Sequence, residues 1–79
     1  PDPAAAEQYL SRWCELRPAE ARPFQLRMDL RHRVARGRAV QADRLRDLEA
    51  ALADGRRVLE IDPANDPVRR EVAWLALQV

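Results

Sequence analysis

One ten-residue phrase occurs twice in this chain, and that duplication limits the fold more than any other feature. Leu10-Ser11-Arg12-Trp13-Cys14-Glu15-Leu16-Arg17-Pro18-Ala19 returns 45 positions later as Gly55-Arg56-Arg57-Val58-Leu59-Glu60-Ile61-Asp62-Pro63-Ala64. Arg12 aligns with Arg57, Glu15 with Glu60, Pro18 with Pro63 and Ala19 with Ala64, while Leu16 and Ile61 are equivalent apolar residues. Each copy is a helical pattern that runs into a proline, whose missing N–H and bulky ring prevent the helix from continuing. A helix-to-turn unit that repeats predicts stacked antiparallel helical hairpins, each too thin to bury its apolar face alone. The fold class expected is all-α, with four helices in a single domain over residues 1–79.

Periodicity and stop signals place those helices. The first spans about 3–17, with Asp2 as N-cap and Pro3 at the first helical position, where no donor is needed. Its apolar side carries Ala5, Ala6, Tyr9, Leu10, Trp13, Cys14 and Leu16, opposite Glu7, Gln8, Ser11 and Glu15. The second spans about 21–36 and stops at Gly37, read as a C′ glycine. Its apolar arc holds Phe24, Leu26, Met28, Leu30, Val34 and Ala35, and its polar arc Arg22, Gln25, Asp29, His32, Arg33 and Arg36. Arg27 and Arg31 break the apolar arc, which leaves two readings: buried stems with guanidinium groups reaching out, or pairing with acids of a neighbouring helix.

The third helix spans about 40–61 around a seam of Leu45, Leu48, Leu52, Gly55 and Leu59, broadened by Val40, Ala51 and Val58. Gly55 costs about 1 kcal/mol in helix propensity against alanine, so its place in the seam implies a bulky neighbour, with Trp13 or Phe24 as the expected one. Asp62-Pro63 ends this helix, and Asn65-Asp66-Pro67 caps and starts the fourth, about 67–79. Val68, Val72, Ala73, Trp74, Leu75, Ala76, Leu77 and Val79 surround that last helix almost completely. Three preceding helices do not cover it on all sides, so a further helix or a second copy is expected against it.

Composition narrows the function classes. All 14 basic residues are arginine, and lysine and threonine are absent. With the abundant alanine, this reads as codon bias in a GC-rich bacterial genome. A formal net charge of +1 leaves little long-range field for polyanions. The charge is uneven, however: residues 17–38 hold seven arginines against Glu20 and Asp29, and residues 41–66 hold four arginines against seven acids. Antiparallel neighbours of that balance largely neutralise each other. No run of about 18 apolar residues marks a membrane span and no signal-like segment is present. The stretch reads as soluble, with a cytoplasmic setting favoured, and the start at Pro1 as a piece of a longer chain. The lone Cys14 rules out an internal disulfide and leaves the redox compartment open.

The segment Ala50-Ala51-Leu52-Ala53-Asp54-Gly55-Arg56-Arg57-Val58-Leu59-Glu60-Ile61-Asp62-Pro63-Ala64-Asn65 resembles the end of a tetratricopeptide repeat, with Ala51 at the small packing position and Pro63 at the inter-repeat proline. Phe24 stands where the next repeat has an aromatic, and Val72 and Ala73 match the family's leucine and small residue. The departures are also clear. The prolines are 45 apart against a period of 34, Gly55 replaces an aromatic, Val58 an alanine, and Arg27 a leucine. The resemblance implies a concave groove lined by the second and fourth helices, on which the groove positions fall on Gln25, Asp29, His32 and Arg33, then Arg70, Trp74 and Gln78. The first four also belong to the polar arc read directly from periodicity. Gln25, Asp29 and Trp74 replace the lysine and asparagine of the family's carboxylate clamp, so that specificity is not expected.

No catalytic constellation is legible, and the expectation is a non-enzyme without cofactor or metal. His32 and Cys14 are the only histidine and cysteine, which removes a His/Cys metal cluster, and two glycines make no phosphate loop. Cys14 reads as a small buried hydrophobe and His32 as a solvated side chain. Asp43 with Asp47, and Glu60 with Arg56, read as a solvated face with local ion pairs. The function expected is a protein–protein interaction scaffold: Arg33, Arg36 and Arg70 favour an acidic or carboxylate-bearing partner segment and Trp74 supplies an apolar anchor. Arg33→Glu with Arg70→Glu is expected to weaken that binding without unfolding the domain. A purely structural spacer or cap is the bland alternative. Nucleic-acid binding through Arg27–Arg38 is another, disfavoured by the acidic third helix beside it. Self-association through the fourth helix is a further expectation.

Overall fold

The computed structural model describes residues 2–79, which form four helices: α1 (Pro3–Leu16), α2 (Ala21–Arg36), α3 (Gln41–Ile61) and α4 (Asp66–Gln78). The repeated phrase produces the same turn twice. Leu16 and Ile61 close their helices, and Ala21 and Asp66 open the next ones, at the 45-residue offset. Arg17 and Asp62 leave the helix at φ −131°, ψ 65° and φ −134°, ψ 83°. Their N–H groups return to Trp13 O (2.9 Å) and Val58 O (2.7 Å), and Glu20 and Asn65 then donate to Arg17 O (3.1 Å) and Asp62 O (3.2 Å). Proline two residues past the last helical residue therefore fixes the hairpin geometry in both halves.

Local chemistry sets the remaining ends. Asp2 caps α1 by accepting from Ala4 N at 3.0 Å, and Asn65 caps α4 by accepting from Val68 N at 3.2 Å, each followed by proline in the first turn. Gly37 follows α2 directly, at φ −90°, ψ −3°. The last turn of α2 tightens: Gly37 N donates to Val34 O (3.0 Å) and Arg38 N to Ala35 O (3.1 Å), which satisfies the final carbonyls without a positive φ. Val40, expected within the seam of the third helix, lies just outside it as the exposed N-cap.

Each helix packs against the one before it, giving a flat body with Cα extents of 33 × 28 × 16 Å. The main core joins Met28 and Ala35 of α2, Leu48, Ala51, Leu52 and Val58 of α3, and Val68 and Leu75 of α4. Full burial of an aliphatic side chain such as Met28 or Leu75 stabilises the fold by about 1.5–3 kcal/mol. Gly55 lies where α2, α3 and α4 meet. The residues that need its space are Met28 and Val72, not the expected Trp13 or Phe24: a Cβ at Gly55 would stand 2.9 Å from Met28 Sδ and 2.5 Å from Val72 Cγ2.

The seating of α1 also departs from expectation. Only Leu10 and Cys14 of its apolar side are buried, whereas Tyr9 and Leu16 are 68% and 64% exposed. The helix is rotated toward a charged seam. Arg27 holds the buried Asp54 in a bidentate pair through the Nε–Nη2 edge of its guanidinium (Nη2–Oδ1 2.7 Å, Nε–Oδ2 3.0 Å) and donates from Nη1 to Ser11 Oγ at 3.0 Å. Arg31 donates to Asp54 Oδ2 at 2.9 Å and from Nε to Glu7 Oε1 at 2.8 Å. Of the two readings open for Arg27 and Arg31, pairing with acids of neighbouring helices is the one realised.

Candidate functional site

The groove residues read from the sequence separate into distinct places. His32 of α2 and Trp74 of α4 meet with ring centroids 4.9 Å apart, and Glu71 Oε2 lies 2.5 Å from His32 Nδ1. This is the one point where α2 and α4 meet through aromatic rings. Below it opens a cleft of about 340 Å³ lined by His32, Ala35, Arg36, Arg44, Leu48, Trp74 and Gln78. Its floor is apolar because Ala35 and Leu48 belong to the core. One wall is the tilted His32–Trp74 pair, and Gln78 Nε2 turns back to Trp74 O at 3.5 Å. Arg36 and Arg44 are exposed at the rim. Neither forms an ion pair among the described residues; Arg44 makes only a long 3.4 Å contact to Arg38 O.

An apolar floor, an aromatic wall and two cations with planar forks are chemically suited to a carboxylate next to an apolar group. Trp74 is tilted 35° against His32 and is 45% exposed, so part of its side chain meets solvent. Arg36 also stands in the last turn of α2, where a cation opposes the negative end of the helix dipole.

The other groove residues lie apart. Asn65 Nδ2 donates to Gln25 Oε1 at 3.4 Å, so Gln25 braces the start of α4. Asp29 is exposed; its carboxyl is pushed above the usual range, first by partial loss of hydration and then by the nearby Glu71 carboxylate. Arg33 lines a different cleft on the α1 side, with Asp2, Pro3 and Ala6. Arg70 is exposed and outside the cleft. Arg44 and Glu71 were not singled out in the sequence. Each follows the polar face of its helix, and only tertiary packing brings it to the α2–α4 contact.

Another cleft, of about 500 Å³, lies between the start of α1 and the end of α2 and offers less. Its cations are already engaged: Arg31 by Glu7 and Asp54, and Arg38 by Asp47 at 2.8 Å. Cys14 is buried, and its thiol is pushed above the usual range chiefly by loss of hydration, which suits a hydrophobe and not a nucleophile. No group of three or more metal-ligating side chains occurs among the described residues, and no helix there is long and apolar enough to cross a membrane. No protein-family model matches the chain, and neither a curated protein nor a solved structure matches it.

Proposed function

We propose that this chain is a non-catalytic interaction module, of tetratricopeptide-like hairpin design, that holds an acidic partner segment at the α2–α4 face. The observation that carries this reading is the cleft itself, where Arg36 and Arg44 stand unpaired beside the exposed Trp74 ring over an apolar floor. A partner peptide sets a carboxylate between the two guanidinium groups and an adjoining apolar side chain against Trp74. The interaction reading is favoured over phosphate-backbone binding because the arginine run of α2 is divided. Arg27 and Arg31 point into the Asp54 seam and Arg38 is bound to Asp47, which leaves no continuous basic stripe from Arg27 to Arg38.

The test is selection of peptides from a random displayed library, followed by fluorescence anisotropy on the enriched sequences. Enrichment of Asp or Glu next to an aromatic or aliphatic residue is expected. Arg36→Glu with Arg44→Glu should weaken binding by about 100-fold, as loss of two charge-assisted contacts implies, while Arg33→Glu on the far side leaves it within about twofold. Affinity unchanged by the Arg36/Arg44 pair overturns the site.

A further inference from the structure

The 45-residue repeat equates α1 with the second half of α3, and α2 with α4, so contacts across the α2–α3 joint between residues 21–34 and residues 47–61 have counterparts. On α3 the joint uses Asp54 and Val58, both buried; the counterparts on α1 are Tyr9, 68% exposed, and Trp13. On α2 it uses Arg27, Met28 and Arg31; the counterparts on α4 are Val72, Ala73 and Ala76. We infer that the Tyr9–Trp13 edge of α1 is a docking surface for a second copy of this chain, seated on the Ala73–Ala76 edge of α4 as α3 sits on α2.

One paired substitution and one kept arginine within the sequence support that occupant. The charged contact of Arg27 and Arg31 with Asp54 becomes apolar on both sides at once, Val72 and Ala76 against Tyr9. A buried carboxylate needs its cations and a buried tyrosine ring needs none, so the two faces have changed together. In addition, arginine is kept at the position that ties neighbouring turns together. Arg57 Nη2 donates to Pro18 O at 2.8 Å, and its counterpart Arg12 is exposed, with no ion pair among the described residues; the counterpart acceptor, Pro63 O, takes Arg69 Nη2 within the chain and keeps a second lone pair for Arg12 of another copy.

The two edges differ, so the contact is head-to-tail and does not close on itself as a two-fold dimer; each added copy presents a fresh α4 edge. The Ala73–Ala76 edge lies on the opposite flank of α4 from Trp74 and Gln78, about 100° or more around the helix, so this surface is independent of the partner cleft.

Sedimentation equilibrium of the unliganded chain from about 10 µM to about 1 mM, a range spanning weak specific association, tests the proposal. The average mass is expected to climb past twice the 9.1 kDa monomer. Tyr9→Glu and Ala76→Glu, both at exposed positions, should each leave a folded monomer with unchanged helical circular dichroism. Mixing the two variants should give a dimer that grows no further, because each retains one intact edge. A wild type that stays monomeric at about 1 mM overturns the proposal, as does growth that neither variant affects. It also fails if the mixture stays monomeric while the wild type associates, or if the wild type stops at a dimer that Ala76→Glu alone abolishes.

Discussion

Gly55 shows how one residue sets the distance between three helices. Its missing side chain admits Met28 from α2 and Val72 from α4, and both would collide with a methyl group there. Gly55→Ala gains about 1 kcal/mol in helix propensity, but overpacking a closed core costs about 1–3 kcal/mol. Met28 is flexible and yields, whereas Val72 is branched at Cβ and its Cγ2 is the nearer atom, so steric cost wins. A net loss of about 1 kcal/mol is expected, read as a fall in melting temperature of about 4–8 °C for a domain of this size. A higher melting temperature would show that helix propensity dominates and that α4 shifts freely. The sequence disclosed that this glycine had a packing purpose, because a seam position without a side chain costs stability for no local gain. It did not disclose the neighbour. The aromatic candidates Trp13 and Phe24 lost to Met28 and Val72 because helix rotation is decided by contacts that no single segment contains.

Among the elements, the boundaries were legible and the rotations were not. Asp2-Pro3, Pro18, Asp62-Pro63 and Asn65 through Pro67 each act on the adjoining turn, so the helix ends follow from local chemistry. The face that α1 buries depends on the seam of Arg27, Arg31 and Asp54, in which Asp54 looks like any other acid of α3 until it is found 3% exposed. That seam, with Glu7 and Ser11, joins α1, α2 and α3. Asp54→Asn removes the charge that two partly buried guanidinium groups share, and a loss of about 3 kcal/mol is expected from urea unfolding, the low end for a broken buried pair because both arginines keep some solvent contact. Replacing the cluster as a whole, with Asp54→Leu, Arg27→Met and Arg31→Met together, should recover most of that loss, since an apolar cluster of similar volume avoids the desolvation cost. A loss under about 1 kcal/mol for Asp54→Asn would mean the seam is already hydrated.

For the whole molecule, the division of the core predicts a division of stability. Every member of the main buried cluster comes from α2, α3 or α4, and α1 is held by Leu10, Cys14 and the ionic seam. Apolar burial is shared across three helices, while α1 depends on polar contacts that water can replace during a local opening. Hairpin stacks whose units touch only their neighbours open from their ends. Native-state hydrogen exchange should therefore find the slowest amides in α3, and those of α1 exchanging through an opening of lower free energy than global unfolding. Asp54→Asn should lower the α1 opening further than that of α3, because it loosens Arg27 and Arg31, the side chains that hold Ser11 and Glu7 of α1. The same experiment bears on assembly: if α1 docks on α4 of a neighbouring copy, raising the protein concentration slows exchange in α1 and α4 and leaves α3 unchanged. Equal protection in α1 and α3 at every concentration would mean one cooperative unit, with the ionic seam binding α1 as firmly as the apolar core binds the rest.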